Sequence, residues 1–165
     1  MLDKEALDKV DWDRLGYGGH LIRELLIGAT SKDSEISTRA LNNLENYLTP
    51  WPAFDASYGT PDTFKSALQN DIPQATVPFL LDILTDETLD SWVRSFVIEI
   101  LHDMALYLNA SKVYLRLHDP LDDIYRTRAR AIRTAVERGI PIYQTLLNHA
   151  DETLRVSAED MLQIL

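Results

Sequence analysis

Hydrophobic residues recur along the chain at helical spacing, and they do so in matched pairs of segments. In the first segment of each pair, four apolar positions fall at i, i+1, i+4 and i+5, which form one stripe on an α-helix. These stripes are Leu21, Ile22, Leu25 and Leu26; Phe79, Leu80, Ile83 and Leu84; and Ile142, Tyr143, Leu146 and Leu147. The second segments have apolar positions four residues apart, at Ile36, Ala40 and Leu44; Val93, Val97 and Leu101; and Leu154, Ala158 and Leu162.

The paired segments predict three helix–turn–helix units, at about 19–48, 75–108 and 140–165. Each unit alone leaves an apolar face bare, so we expect the units to stack and bury it. Polar turns with helix-capping residues separate the two helices of each unit. The sequence has no Asn-Gly or Asp-Gly hairpin and no sustained alternation typical of strands. The predicted fold is therefore all-α: one domain, 1–165, of about seven or eight antiparallel helices in a right-handed α-α superhelix.

Additional segments separate the three units. An insertion at 50–72 begins as a loop rich in proline and contains a predicted short helix at 61–70. A further helix is predicted at about 120–138, ending at Gly139, because glycine is typical just after a helix. Three prolines are expected in the first turns of helices, where a missing N–H is harmless: Pro73, Pro78 and Pro141.

Several stretches carry a family resemblance: Asp-Trp-Asp-Arg-Leu at 11–15 with Tyr17-Gly18, Ala-Thr-Val-Pro-Phe-Leu at 75–80, and Gly-Ile-Pro-Ile-Tyr at 139–143. Together with the helix pair at 146–162, they resemble a group of short bacterial HEAT-repeat-like proteins. The resemblance implies an α-α solenoid used for contacts with other proteins. Some members of the group are immunity proteins of toxin systems, which implies neutralisation of a toxin by occlusion.

The composition and the N-terminal sequence limit the kinds of site and the cellular location that we expect. The chain has 165 residues, 45% of them hydrophobic, and no cysteine, which excludes disulfides and thiolate metal sites. The first residues are charged and lack the apolar run of a signal peptide, and no stretch is long enough to cross a bilayer. We therefore expect a cytoplasmic protein that makes no use of a membrane.

The formal net charge is −10, with 26 acidic and 16 basic side chains. Such a field attracts a basic partner and repels nucleic acid, although acidity for solubility alone is the simpler interpretation. The segment 112–138 is the exception, with an excess of basic residues and five arginines in its helix: Arg126, Arg128, Arg130, Arg133 and Arg138. A nucleic-acid-binding stripe is one interpretation. A solvated face paired internally by Asp122 and Glu137, four residues from Arg126 and Arg133, is favoured over it.

Motifs for catalysis are weak. The histidines, His20, His102, His118 and His149, show no metal-binding spacing, so a helical metal-dependent hydrolase is a less favoured alternative. No Gly-x-Ser-x-Gly motif occurs, and the glycine run at 16–19 lacks the Lys-Ser/Thr of a phosphate loop. That run is expected to let the chain turn sharply into the first unit. We expect no enzymatic activity and no cofactor.

The candidate partner-binding residues fall in two groups. Trp51, Phe54 and Tyr58 lie on the proline-rich loop, where they either anchor a partner or fold back as a lid on the apolar edge. The acidic group, in the turn of the second unit, is Asp86, Glu87 and Asp90. Of the other aromatic residues, Trp12 and Trp92 are expected to fill the core.

Overall fold

The computed structural model describes residues 1–16, 18–49, 65–66, 68–115 and 119–165. Throughout these ranges the protein is helical and has no β-strand, which confirms the all-α prediction. The nine helices found there are α1 (Lys4–Lys9), α2 (Trp12–Leu15), α3 (Gly19–Ala29), α4 (Ser34–Leu48), α5 (Ile72–Leu84), α6 (Ser91–Tyr114), α7 (Pro120–Glu137), α8 (Ile140–Leu146) and α9 (Glu152–Ile164). The expected number was too low, because the N-terminal segment forms two short helices of its own.

Three helix hairpins, α3–α4, α5–α6 and α8–α9, form the body of the protein. Their second helices lie in a row, with α6 in the middle contacting both α4 and α9. The remaining long helix, α7, packs against α5 and α6. The buried Tyr107 hydroxyl of α6 donates a hydrogen bond to the Leu48 carbonyl at the end of α4, at 2.6 Å. The hairpins are therefore joined by polar as well as apolar contacts.

Most positions of the predicted stripes are buried in the core, including all four of α5. The helices α3 and α4 approach closely at Ala40, since a Cβ added to Gly28 would lie 3.0 Å from the Ala40 Cβ. Two stripe positions are exposed instead. Leu147 is 40% exposed because α8 ends at Leu146, and Ile36 is 41% exposed in the first turn of α4.

Aspartates cap the helices that follow two of the predicted turns. The Asp33 carboxylate accepts the N–H groups of Glu35 and Ile36, and the Asp151 carboxylate accepts that of Leu154. These bonds satisfy donors that have no partner within the helix. The turn between α5 and α6 differs, since Asp90 precedes α6 without capping it through its side chain.

Two tryptophans were predicted to fill the core, and only one of them is buried. Trp12 is buried, its indole N–H donates to the Leu7 carbonyl at 3.1 Å, and its ring lies 5.8 Å from that of Phe79. The prediction for Trp92 was wrong, since its side chain is 37% exposed. The reason is helical phase: the buried stripe of α6 begins at Val93, and the preceding residue points about 100° away from it.

Of the three prolines predicted to lie in the first turns of helices, only two do. Pro73 and Pro141 stand in the first turns of α5 and α8, as predicted. Pro78 does not, because α5 begins at Ile72 and places this proline inside the helix. Pro78 has no N–H to donate to the Gln74 carbonyl one turn earlier. Half of the predicted helix at 61–70 lies outside the described residues; Lys65 and Ser66 within it are helical, but 68–70 form a turn and bends, so the helix does not extend to residue 70. No described helix combines the length and apolarity that crossing a membrane would require.

Candidate functional site

A surface cavity of about 410 Å³ opens over the row of second helices. We call it the acidic groove, and its lining comes from α4 (Glu45), α6 (Ile98, Glu99, His102 and Asp103) and α9 (Ser157 and Asp160). Four of these seven residues are carboxylic acids. Among the described residues of the lining, the histidine is the only side chain able to carry a positive charge.

The buried positions of the three helices determine which neighbouring side chains face the groove. Leu44, Val97, Leu101 and Ala158 are fully buried, and each has a groove residue beside it in sequence. Within α6, Glu99 and Asp103 are separated by one helical turn, which places their side chains on the same face. Burial of the apolar stripes therefore turns acidic residues of three helices toward one cavity.

Partial burial and repulsion raise the pKa values of two groove carboxylates, Glu45 and Glu99. Burial raises the pKa of Glu45, and the negative charges of Asp103 and Glu99 raise it further. Burial and the charge of Asp103 raise the pKa of Glu99, which the nearby His102 partly offsets. Asp103 Oδ1 lies 3.4 Å from His102 Nδ1. Within the described ranges, Glu45, Glu99 and Asp160 form no salt bridge.

This arrangement favours a cationic ligand. Carboxylates in a shared concave surface accept charge-assisted hydrogen bonds from guanidinium or ammonium groups, which would also reduce their mutual repulsion. The part of the chain that the structure describes contains no cluster of three or more His, Asp or Glu side chains arranged to hold a metal ion. The carboxylates of the groove can accept such hydrogen bonds from a lysine or arginine side chain.

The acidic residues predicted to bind a partner, Asp86, Glu87 and Asp90, are not among the described residues that line this groove. Trp51, Phe54 and Tyr58 lie outside the described residues. Asp86 is buried in the turn between α5 and α6, where its carboxylate accepts hydrogen bonds from the N–H and hydroxyl of Thr88. These bonds, chiefly that from the hydroxyl, hold the pKa of Asp86 below its usual value.

The other two acidic candidates, Glu87 and Asp90, are exposed in the same turn, outside the groove lining. Their role in partner binding stays a prediction. Asp86 differs from them because its carboxylate already stabilises the turn, which leaves it less available to a ligand.

Two arginines occur at the same register of α6 and α9 and hold their hairpins closed. Arg94 is buried, and its Nε donates to the Leu84 carbonyl at 2.9 Å. Arg155 Nη1 donates to the carbonyls of His149 and Ala150. Arg94 therefore satisfies the last carbonyl of α5, whereas Arg155 binds the turn between α8 and α9. In the first hairpin, Ser37 occupies this register, and its hydroxyl donates to the Ser34 carbonyl.

Three of the five arginines in the basic segment are engaged within the protein. Arg126 pairs with Asp123. Arg128 binds the Asp71 carboxylate and the carbonyls of residues 68 and 69. Arg133 binds Glu137, as predicted, and reaches the backbone of residues 164 and 165. These contacts explain much of the basic segment without a nucleic acid.

One predicted pair in this segment was wrong. Asp122 was expected to face Arg126, but it is almost fully buried and lies 2.6 Å from the Nζ of Lys65. Asp123, one residue later, pairs with Arg126 instead. Sequence spacing alone does not distinguish the two, because both aspartates lie within about one turn of the arginine.

Comparison with protein-family models, curated proteins and solved structures found no match to this chain. The sequence analysis considered His102 only as one of four histidines without metal-binding spacing, and the other groove residues were not predicted to lie together. The available signal was the like-charged pair Glu99 and Asp103, one turn apart in a predicted helix. That pair does not reveal that Glu45 and Asp160 lie beside it.

Proposed function

We propose that this protein is a non-catalytic, HEAT-like helical-repeat module that binds a basic partner protein through the acidic groove. The HEAT-like arrangement is supported by three hairpins whose second helices lie in a row. It is supported also by the arginine that closes the second and third hairpins at a shared register. In such a stack, the row of second helices offers a continuous surface to a partner.

The observation that carries the proposal is the set of crowded carboxylates in the acidic groove. Burial and the negative charge of Asp103 raise the pKa values of Glu45 and Glu99, so the charged forms of these two side chains are unfavourable in the isolated protein. An arginine or lysine of a partner would convert this repulsion into attraction. The groove is thus better suited to the bound state than to the free state.

The partner class follows from charge and from the family resemblance. A net charge of −10 speeds the approach of a basic protein and disfavours acidic ones. Among the HEAT-like proteins that the sequence resembles are immunity proteins, and we propose the same role here: occlusion of a basic toxin. Occlusion requires only a complementary surface, so it needs no catalytic residue in this chain.

The test is affinity capture from the source organism with three baits. These are the wild-type protein, a groove variant (Glu45→Gln, Glu99→Gln, Asp160→Asn) and a control variant (Asp11→Asn, Glu24→Gln, Glu35→Gln). Both variants lose three negative charges, but the control residues are exposed and lie outside the groove. We expect the wild-type and control baits to retain the same basic protein, and the groove variant to lose it.

Calorimetry with the recovered protein then measures the affinity directly. The groove variant should bind at least about tenfold more weakly than the control, since truncating charged interface pairs commonly costs more than 1.4 kcal/mol. Equal affinity of the two variants would exclude the groove as the binding site. Loss of an acidic partner, rather than a basic one, from the groove variant would contradict the proposed partner class.

A further inference from the structure

A second groove runs between α5 and α7 and shares no residue with the acidic groove. Its main cavity has a volume of about 780 Å³. We call it the basic groove, and the residues important for its chemistry are Gln74, Ala75 and Pro78 of α5, Arg130 and Ala131 of α7, and Arg138, which follows α7. A smaller cavity of about 440 Å³ continues it past Gln74 and Ala131 toward the exposed Ile124.

The two arginines give this groove its charge. Arg130 and Arg138 are exposed and, unlike the three other arginines between 126 and 138, form no salt bridge with any described residue. The carboxylate of Asp71, which also lines the groove, is paired with Arg128 at 3.1 Å. The local positive charge of the groove is therefore not balanced by its own aspartate.

The walls and floor suit a peptide backbone. Ala75 and Ala131 face the groove from opposite helices, and their small side chains leave room for a chain between the helices. Pro78 supplies no N–H to the Gln74 carbonyl, so this oxygen lacks its usual helical donor. The described lining includes no aromatic side chain for stacking nucleic-acid bases.

We infer that the basic groove binds an extended acidic segment of a partner protein, with two carboxylates paired to Arg130 and Arg138. Arg138 directly follows the last residue of α7, so the helical rise over the eight residues from Arg130 gives a span of about 12 Å. An extended peptide covers that distance in about four residues, so the segment should have acidic side chains at positions i and i+4. A polyphosphate backbone fits less well, because Asp123 lines the continuation of the groove and the net charge is −10. This inference does not depend on the acidic groove.

The test is an NMR titration of the 15N-labelled full chain. The probe is a decapeptide of serine and glycine that carries two glutamates four residues apart, and its control has glutamine at both positions. We expect saturable shifts of the backbone amides of Gln74, Ala131 and Thr134 with the glutamate peptide only. No shift at millimolar glutamate peptide, or equal shifts with the glutamine peptide, would overturn the inference.

Matched variants link the shifts to the arginines. Arg130→Ala with Arg138→Ala should weaken binding at least about tenfold, as expected for the loss of two charge-assisted pairs. Lys32→Ala with Arg39→Ala removes the same charge from exposed positions outside the groove and should leave the affinity unchanged. Equal losses in both variants would contradict the assigned site. Stronger shifts of the same amides with a 12-nucleotide RNA, or shifts caused by protein concentration alone, would also contradict it.

Discussion

The guanidinium Nε of Arg94 donates a hydrogen bond of 2.9 Å to the carbonyl of Leu84, which ends the preceding helix of the same hairpin. Arg94 Nη1 also lies 3.4 Å from His149 Nε2, in the turn of the third hairpin. One buried side chain thus closes its own hairpin and contacts the next. Burial lowers the pKa of Arg94, partly offset by the nearby charges of Glu87 and Asp86.

Arg94→Met tests this closing role while keeping most of the aliphatic volume. Loss of the guanidinium leaves the Leu84 carbonyl without its donor, so we expect the free energy of unfolding to fall by about 1–3 kcal/mol. Urea unfolding followed by circular dichroism measures it. Arg155→Met, at the less buried equivalent position, should cost less. An Arg94→Met protein as stable as the wild type would mean that the desolvation of the arginine cancels its hydrogen bonds.

Tyr107→Phe isolates the hydrogen bond between α6 and α4. The hydroxyl is fully buried and donates to the Leu48 carbonyl at 2.6 Å, and burial raises the pKa of this tyrosine. We expect a loss of about 1–2 kcal/mol in the free energy of unfolding. Tyr143→Phe is the matched control, because its hydroxyl is also buried but makes a longer bond, 3.2 Å, to Val136. A larger loss in the control would contradict the assigned strength of the Tyr107 bond.

Gly19→Ala tests the contact between α2 and α3. A Cβ at Gly19 would overlap the backbone carbonyl of Trp12, which cannot move as a flexible side chain could. The neighbouring Gly18 has a φ of 81°, so the sharp turn expected of this glycine run is confirmed. Although alanine is the better helix former, we expect Gly19→Ala to cost about 1–3 kcal/mol. Thermal unfolding measures the loss, and an unchanged melting temperature would contradict the tight contact.

Glu45→Gln with Glu99→Gln tests the electrostatics of the acidic groove. Their pKa values are raised in the folded protein, so the folded state binds protons more tightly than the unfolded chain. Their charged forms therefore destabilise the fold at neutral pH, and this destabilisation disappears as the pH falls through the raised pKa values. We expect the variant to be more stable at pH 7 by about 0.5 kcal/mol, a small effect because solvent screens partly exposed charges.

The difference between variant and wild type should vanish near about pH 4, where ordinary carboxylic acids are largely protonated. Urea unfolding at several pH values measures it. Glu24→Gln with Glu35→Gln is the control, since these exposed groups lie outside the groove. A difference that is constant with pH, or equal in the control, would show that crowding in the groove does not destabilise the folded state.

The hairpins could be predicted because the apolar spacing that specifies them is local. Ile22 and Leu26, or Val97 and Leu101, lie one turn apart, and their burial follows from helical geometry alone. The predictions for single residues were wrong where they depended on the residue at which a helix begins or ends. Leu147 lies beyond the end of α8, and Pro78 lies inside α5 because that helix begins earlier than expected.

The acidic groove could be predicted only in part, because it depends on contacts between helices. Glu99 and Asp103 are recognisable as neighbours from their spacing. Glu45 and Asp160 join them only when α4 and α9 pack on either side of α6. The same limit applies to Asp122, whose partner Lys65 comes from a distant part of the chain.

The central claim is that the acidic groove binds a cationic side chain, and an NMR titration with a short peptide carrying two arginines tests it most directly. The account predicts saturable shifts of the amides of Glu45, Glu99 and Ser157. They should persist in the variant Asp11→Asn, Glu24→Gln, Glu35→Gln and disappear in the variant Glu45→Gln, Glu99→Gln, Asp160→Asn. Shifts spread over the surface, or equal in the two variants, would contradict the claim.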